Sequence, residues 1–253
     1  MKLLSRLVAL ALCLVTTLVE ARTFEEIKKD GKIIVASEGA FPPFNFFRGP
    51  TLTGFEVELA EAMAKKMGVQ IEWRALAFDA LLAGLRQDRW DVVIASFGVT
   101  PGRSKAVSFA NPHYCSGGVI VAKNPAIRKA EDLTDKVVAV QTGTTYLENI
   151  QKIAKVKEVK NFPKDTDARA ALVSGRVDAW VTDKFVAKAA LEAAPSAGLA
   201  MGDLVLVEHI APAVKKGNTS LVEAINKALQ EVMADGTYEA LSKKYFNEDI
   251  RCR

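Results

Sequence analysis

The sequence is poor in the residues that build metal centres and catalytic sites. It has 253 residues, of which two are histidines, His113 and His209, and three are cysteines. These residues do not have the spacing of a metal site, and no serine lies in the motif of a nucleophile elbow. The turn from Gln141 to Thr145 lacks the lysine of a phosphate loop and the glycines of a dinucleotide-binding turn. The sequence therefore carries no positive signature of catalysis, and we expect no cofactor.

The chain also lacks a strong charge of either sign, internal repeats and low-complexity segments. Its net charge is +4, and the basic residues are scattered along the chain. Nucleic-acid-binding proteins usually carry clustered lysine and arginine residues, so we expect no nucleic-acid partner. A hydrophobic content of 49% with 25% charged residues is typical of a folded, soluble protein.

Residues 1–21 have a different character from the rest of the chain. Lys2 and Arg6 precede an apolar run over residues 7–18, and small residues follow that run. This order is typical of a secretory signal peptide, and the run is too short to span a bilayer comfortably. A membrane anchor is the alternative. We expect the leader to be removed and the mature chain to lie in the periplasm or the cell-envelope space.

Export would place the chain in an oxidising compartment. Two cysteines, Cys115 and Cys252, remain after removal of the leader. This even count permits one disulfide, which would tie the C-terminal tail to the chain near residue 115. A free, buried Cys115 is the alternative, and the sequence leaves both open.

Strands and helices alternate through the chain in two series. The segment "GFEVELAEAMAKKMG" has helical periodicity, and "DVVIAS" is typical of a buried strand. The alternation starts again after residue 116, and two helices close the chain. This pattern predicts an α/β protein with two lobes, each a mostly parallel sheet flanked by helices. We expect the chain to cross between the lobes near residues 111–116 and 207–211, and two crossings make a hinge.

Ligands of open α/β sheets bind beyond the carboxyl ends of the strands. Candidate side chains follow four strands in this sequence: Glu38 and Phe41, then Phe78, then Ser96, Gly98 and Arg103, and finally Asp183.

Each candidate has both a binding role and an ordinary structural role. The planar fork of donors on Arg103 matches a carboxylate, although an arginine in a turn is often only solvated. The carboxylate of Asp183 can receive an ammonium group or cap the next helix. The rings of Phe41 and Phe78 can form a ligand wall or pack in the core. The turn before Thr145 can bind an anion at a helix start or serve as a helix cap.

The motifs become specific when they are read in order. They are "ASEGAFPPFNF", "GFEVELAEAMAKKMGV", "FDALLAGL", "WDVVIAS", "TPGRSKAVSFANPHY", "VAVQTGTTYL", "SGRVDAWVTD" and "GTYEALSKKYF". Together they resemble the periplasmic solute-binding proteins of polar amino-acid ABC importers, solute-binding protein family 3. The glutamine-binding and the lysine/arginine/ornithine- and histidine-binding proteins are the most similar types. The resemblance covers nearly the whole mature chain.

The resemblance implies a two-lobed, hinged Venus-flytrap fold with an α-amino acid trapped between the lobes. Lobe 1 would be discontinuous, comprising residues 22–112 and 211–253, and lobe 2 would comprise residues 116–207. The implied ligand contacts are Arg103 and Thr145 on the α-carboxylate, Asp183 and the Ser96 region on the α-ammonium, Phe41 and Phe78 around the side chain, and Glu38 and Gln141 at its polar end. Thr144 is a further expected ligand contact.

The sequence departs from the family pattern beside the expected site. Gly98 stands where the family often has a hydroxyl residue, so one hydrogen bond to the ligand would be missing or moved. Phe97 is bulkier than expected and would reshape the pocket. Glu38 with Gln141 between aromatic rings suits a cationic side chain. We therefore expect arginine, lysine or histidine as the ligand, with glutamine as the second choice.

The resemblance also implies the partners of the protein. We expect a monomeric, non-catalytic binding subunit that delivers its ligand to a membrane permease and its ATPase. One alternative is an enzyme on the same fold, similar to the periplasmic dehydratases of aromatic-amino-acid synthesis, with Glu38 as its acid/base group. Another is a sensor module that presents ligand to a separate receptor.

Overall fold

The computed structural model describes residues 21–153 and 155–252, so residues 1–20 of the expected signal peptide lie outside the described part. No helix within the described residues is long and apolar enough to cross a membrane. The helices are α1 (Phe24–Asp30), α2 (Phe55–Met67), α3 (Phe78–Arg86), α4 (Pro101–Ala106), α5 (Thr145–Ile153), α6 (Asp165–Val173), α7 (Lys184–Ala193), α8 (Thr219–Ala234) and α9 (Thr237–Phe246).

The strands form two five-stranded sheets and one small three-stranded sheet. They are β1 (Lys32–Ser37), β2 (Ala40–Phe41), β3 (Asn45–Arg48), β4 (Thr51–Thr53), β5 (Gln70–Ala75), β6 (Val92–Val93), β7 (Val107–Phe109), β8 (Tyr114–Ala122), β9 (Val137–Gln141), β10 (Glu158–Phe162), β11 (Ala179–Asp183), β12 (Ala200–Ile210) and β13 (Ala213–Lys215). The first lobe is built on the sheet β5-β1-β6-β13-β7, and the second lobe on the sheet β10-β9-β11-β8-β12.

Both large sheets are mixed. In the first lobe β1 runs parallel to β5 and β6, whereas β13 runs antiparallel to β6 and β7. In the second lobe β9 runs parallel to β10 and β11, whereas β8 runs antiparallel to β11 and β12. The antiparallel strands are those next to the crossings, where the chain enters or leaves a lobe. The α/β class and the two-lobed architecture are confirmed, and the residue limits of the lobes stay a prediction.

Helix α2 shows why the amphipathic pattern in the sequence was informative. Val57, Ala60, Met63 and Ala64 are buried, as their helical spacing predicts. This apolar face packs against α8 and α9 from the end of the chain. The hydroxyl of Tyr238 in α9 also donates a 2.5 Å hydrogen bond to the backbone carbonyl of His113. The C-terminal helices therefore complete the core of the first lobe.

The two crossings lie side by side between the lobes. The backbone N–H of His113 donates to the carbonyl of Ile210 at 2.8 Å, and Tyr114 of β8 pairs with Ile210 of β12. A disulfide joins Cys115, at the start of β8, to Cys252, with a Cα–Cα distance of 4.8 Å. The C-terminal tail is therefore covalently tied to the segment in which the chain enters the second lobe.

Candidate ligand-binding site

A cavity lies between the two lobes, where the strand ends of the two large sheets face each other. It is lined by both lobes, and the space left inside it is only about 10 Å³, roughly that of one water molecule. The lobes therefore lie close together in this structure, and a bound amino acid would need them to move apart. The lining residues are Glu38, Phe41, Phe78, Ala95, Ser96, Arg103, Gln141, Thr144, Thr145, Tyr146 and Glu208.

Glu38 and Gln141 meet across the cleft at one end of the cavity. Glu38 follows β1 and Gln141 is the last residue of β9, so each lies beyond the carboxyl end of a strand. The amide of Gln141 donates a 2.7 Å hydrogen bond to Glu38 Oε1 and a 3.1 Å bond to the carbonyl of Pro163. Burial raises the pKa of Glu38 to about 8, because the ionised carboxyl is poorly solvated there. This end of the cavity therefore offers a carboxyl that a cation would ionise.

Arg103 occupies the other end of the cavity. Its guanidinium donates to the carbonyl of Gly98 at 2.8 Å within its own lobe and to the carbonyl of Gly143 at 2.9 Å across the cleft. Burial lowers the pKa of Arg103, and the nearby Glu208 carboxyl partly offsets that effect. An arginine keeps its positive charge in such a site, so Arg103 supplies a fixed cation.

The guanidinium of Arg103 packs on a pair of stacked aromatic rings, Phe97 and Phe78. The guanidinium lies 4.8 Å from the ring centroid of Phe97, and this ring stacks on Phe78 at 4.1 Å with an interplanar angle of 11°. Phe97 itself is 3% exposed and does not line the cavity. The bulk of Phe97 therefore serves to hold Arg103 and Phe78 in place rather than to fill the ligand space.

The start of α5 faces Arg103 from the second lobe. Gly143 has a left-handed backbone with φ of 77°, and a Cβ there would lie 3.1 Å from the Cβ of Asp79 on the opposite lobe. Thr144 closes the turn by donating its hydroxyl to the carbonyl of Gln141 at 2.7 Å. Thr145 is the first residue of α5, where the free N–H groups of a helix favour an anion.

Ser96 is held in place by a buried carboxylate that is not part of the cavity wall. Its backbone N–H and its hydroxyl both donate to Glu56, at 2.8 and 2.9 Å, and Ser96 has a left-handed φ of 56°. Glu56 is fully buried in α2 and also bonds Asn45 and His113, each at 2.8 Å. Because the Ser96 hydroxyl donates to Glu56, its lone pairs are left for a donor in the cavity.

Asp183 lies behind the cavity rather than in its wall. It is 1% exposed, and its Oδ1 caps α7 by accepting from the N–H groups of Phe185, at 2.7 Å, and Val186, at 3.3 Å. Burial raises the pKa of Asp183 to about 7. The Ser116 hydroxyl lies close to the carboxyl and lowers its pKa, but Oδ2 is buried and has no partner in good hydrogen-bonding geometry among the described residues. Both roles left open by the sequence, the helix cap and the receiver of an ammonium, thus remain compatible with its position.

Phe41 contributes an apolar wall. It is 6% exposed, lines the cavity, and stacks on Phe44 with a centroid distance of 5.9 Å. Phe78 lines the cavity from the same lobe. The structure therefore brings both rings to the ligand space, together with the polar ends described above.

Three wall residues, Ala95, Tyr146 and Glu208, did not emerge from the sequence. Glu208 lies in β12 and accepts a hydrogen bond from the hydroxyl of Thr145 at 2.5 Å. Burial raises the pKa of Glu208, while hydrogen bonds from Thr145 and Tyr146 and the charge of Arg103 lower it. The signal in the sequence was a lone carboxylate inside "LVEHIAPA", at one of the two expected crossings.

Comparison with known proteins identifies the class. Residues 33–248 match the family described as bacterial extracellular solute-binding proteins, family 3. The L-cystine-binding protein TcyJ of Escherichia coli (strain K12) is 34% identical over 230 residues, covering 89% of this chain and 86% of that protein. The ABC transporter arginine-binding protein 1 of the same strain is 32% identical over 222 residues, covering 85% of this chain and 90% of that protein.

A solved structure gives the same result. An ancestral arginine-binding protein bound to glutamine superposes with a TM-score of 0.82 and 42% identity, covering 86% of this chain and 99% of that chain. The chain belongs to family 3 of the bacterial extracellular solute-binding proteins, which confirms the resemblance seen in the sequence. All three similar proteins carry names of binding proteins rather than of enzymes.

Proposed function

We propose that this protein is the extracytoplasmic amino-acid-binding subunit of an ABC importer. It would trap one polar L-amino acid between its lobes and prefer a basic side chain. The observation that carries this proposal is the polarity of the cavity. A fixed cation, Arg103, lies at one end beside the start of α5, and the buried carboxyl of Glu38 lies at the other.

The end of the cavity at Arg103 suits the α-carboxylate of the ligand. Arg103 presents a fork of donors, and α5 presents the free N–H groups of a helix start at Thr145. A ligand carboxylate at this place would contact both lobes, since Arg103 belongs to one and Thr145 to the other. Binding would therefore stabilise the closed arrangement of the hinge.

The α-ammonium would bind on the side of Ser96, with the Asp183 carboxyl behind it. The Ser96 hydroxyl donates its O–H to Glu56, so its lone pairs can accept a hydrogen bond from the ligand, with Tyr114 as a second neighbour. The unpaired Oδ2 of Asp183 is a second acceptor that a bound ammonium could satisfy. Hydrogen bonds to charged groups contribute about 1.5–3 kcal/mol each. A few of them, with burial of the ligand against Phe41 and Phe78, reach the roughly 8 kcal/mol of a micromolar complex.

The side chain of the ligand would reach Glu38 and Gln141. A guanidinium or ammonium group would ionise Glu38 and form a charged hydrogen bond with it. An amide could instead accept from protonated Glu38 and bond Gln141, which is why glutamine stays the second candidate. The similar proteins support both, since one is named for arginine and one has glutamine bound. TcyJ is named for L-cystine, so this family accommodates different side chains.

Delivery to a permease and its ATPase, the periplasmic location and the monomeric state belong to the same proposal. They are supported by the family match and by the relative named as part of an ABC transporter. An enzyme on this fold would use Glu38 as its acid, and the raised pKa of Glu38 suits that role. Turnover of prephenate or arogenate by the purified protein would favour that alternative.

The direct test is to identify the ligand that co-purifies with the protein. The protein is purified without added amino acids and unfolded, and the released small molecules are identified by mass spectrometry. We expect arginine, lysine, histidine or glutamine. The Arg103→Ala variant, purified in the same way, should release none of them. The proposal is wrong if the wild-type protein releases no amino acid and, after refolding, binds none of those four at millimolar concentration.

A further inference from the structure

Glu208 is a buried carboxylate that the roles above leave unused. It lies near the end of β12, opposite Ser116 of β8, and is 6% exposed. Its carboxyl lines the cavity and accepts a hydrogen bond from the hydroxyl of Thr145. None of the ion pairs formed among the described residues includes Glu208. The charge of Arg103 offsets the cost of burying an ionised Glu208 only in part, so a cation supplied by a ligand would relieve the rest of that cost.

Gly98 explains how this carboxylate reaches the cavity. A Cβ on residue 98 would lie 2.2 Å from Glu208 Oε1 and 3.1 Å from its Cδ, so a side chain there would displace the Glu208 carboxyl from its present position. The φ of Gly98 lies outside the left-handed region, so the backbone itself does not require glycine at this position. Glu208 Oε1 therefore occupies the place that the first atoms of a side chain on residue 98 would take.

Backbone pairing holds the Gly98 segment beside the Glu208 segment. Gly98 forms an isolated antiparallel bridge with Ile210, two residues beyond Glu208. The carbonyl of Gly98 also anchors the guanidinium of Arg103. Gly98 thus contacts the guanidinium of Arg103 through its carbonyl and lies against the Glu208 carboxylate at its Cα. The α-ammonium and α-carboxylate of an amino acid sit on a single carbon, so a site that holds one beside Arg103 presents the other to groups only a few ångströms away.

We propose that Glu208 receives the α-ammonium of the ligand, in place of a side chain on residue 98. This inference rests on the proposed function. Glu208 then makes the α-amino group a requirement for binding and favours amino acids over the corresponding hydroxy acids. With Glu38 and Asp183, it also gives the site more carboxyls than cations, which favours a ligand of net positive charge.

The test compares an amino acid with its hydroxy-acid analogue. L-arginine, L-glutamine and argininic acid, in which a hydroxyl replaces the α-ammonium of arginine, are titrated into wild type, Glu208→Gln and the control Glu192→Gln. Glu192 is exposed at the surface of α7. We expect Glu208→Gln to weaken binding of the amino acids at least about tenfold and of argininic acid less than about threefold, because a charged hydrogen bond is lost only with the ammonium. The control should match wild type.

A second pair of variants tests the exclusion between residues 98 and 208. Gly98→Ser alone should weaken L-arginine binding at least about tenfold, since its Cβ meets the Glu208 carboxyl. In Gly98→Ser/Glu208→Ala the hydroxyl has room, so affinity should equal or exceed that of Glu208→Ala. Circular dichroism and thermal melting establish that each variant is folded.

The outcomes separate this inference from the proposed function. Equal losses for L-arginine and argininic acid in Glu208→Gln, or no loss for either, would overturn the role of Glu208 while amino-acid binding stands. If Gly98→Ser reduced the affinity for L-arginine equally in the presence and in the absence of Glu208, the steric conflict between residues 98 and 208 would be overturned. Wild-type protein that binds neither L-arginine nor L-glutamine would reject both the preferred ligands of the proposed function and this inference.

Discussion

Gln141 Nε2 donates a 2.7 Å hydrogen bond to Glu38 Oε1 and so joins the two lobes at one end of the cavity. Both side chains are buried, and both follow strands that end at the cleft. A ligand side chain that enters this end must share the contact or replace it. The chemistry of this pair therefore decides which side chain the protein prefers.

The first prediction concerns the charge of the ligand side chain. Glu38→Gln should weaken binding of L-arginine at least about tenfold, because the charged hydrogen bond to the side chain is lost. Binding of L-glutamine should change less than about threefold, since an amide can bond another amide. Calorimetric titration of both ligands measures the change in selectivity. Equal losses of affinity for the two ligands would show that Glu38 does not distinguish a charged from an uncharged ligand side chain.

The second prediction concerns the stability of the ligand-free protein as a function of pH. The pKa of Glu38 is about 8 in the folded protein, against an ordinary value of 4.5. Its contribution is fully present below about pH 4.5 and is lost as the pH rises towards 8, with a slope of up to about 1.4 kcal/mol per pH unit. Glu38→Gln removes this contribution. The free energy of unfolding in urea should therefore fall more steeply with pH in the wild type.

Asp165 and Asp183 also have pKa values raised by burial, to about 7 each. Their contributions are lost in the same direction, but they are present in both proteins and cancel in the comparison. A difference in unfolding free energy between wild type and Glu38→Gln that stays constant from about pH 5 to about pH 8 would contradict the burial of an uncharged Glu38.

The third prediction concerns the geometry of Arg103. Arg103→Lys keeps the charge, but its three N–H donors are fewer than the four needed to bond Gly98, Gly143 and both oxygens of a carboxylate, so the affinity for L-arginine should fall at least about tenfold. Arg103→Ala should reduce the affinity for L-arginine more than Arg103→Lys does. Arg86→Ala, at an exposed position of α3, is the matched control and should leave the affinity unchanged. Wild-type affinity in Arg103→Lys would mean that the ligand needs only a positive charge at this position.

The fourth prediction concerns the disulfide. Cys115 and Cys252 are separated by 137 residues in sequence, so their bond restricts the unfolded chain strongly. The Cys115→Ser/Cys252→Ser variant should lose about 2–4 kcal/mol of unfolding free energy. Neither cysteine lines the cavity, so ligand affinity should stay within about twofold of wild type. Reduced wild-type protein should match the variant in urea unfolding, and a variant as stable as the oxidised protein would contradict a stabilising role.

Much of the site could be anticipated because strand ends converge at one edge of a sheet. Glu38 was expected from the end of its strand and Gln141 from the family resemblance, and the structure brings them together. Asp183 shows the limit of that reasoning. A carboxylate at a strand end can cap the next helix or receive a ligand, and the sequence does not show that Asp183 caps α7 with one oxygen and keeps the other unbonded.

Contacts between segments that are distant in the chain could not be predicted from the sequence. Glu56 occupies one position in a helical pattern, yet it is fully buried and accepts hydrogen bonds from Ser96 and Asn45. Glu208 stands in a crossing segment, and only the three-dimensional structure shows that it lines the cavity. Both depend on which strands become neighbours, and hydrophobic periodicity carries no information about that.

The central claim is that the cleft binds a free α-amino acid, and calorimetric titration of ligand-free protein with each of the standard amino acids tests it most directly. The account predicts micromolar or tighter binding of at least one, which corresponds to about 8 kcal/mol. A basic amino acid should bind most tightly, with glutamine next. Failure of every amino acid to bind more tightly than about 1 mM would contradict the account.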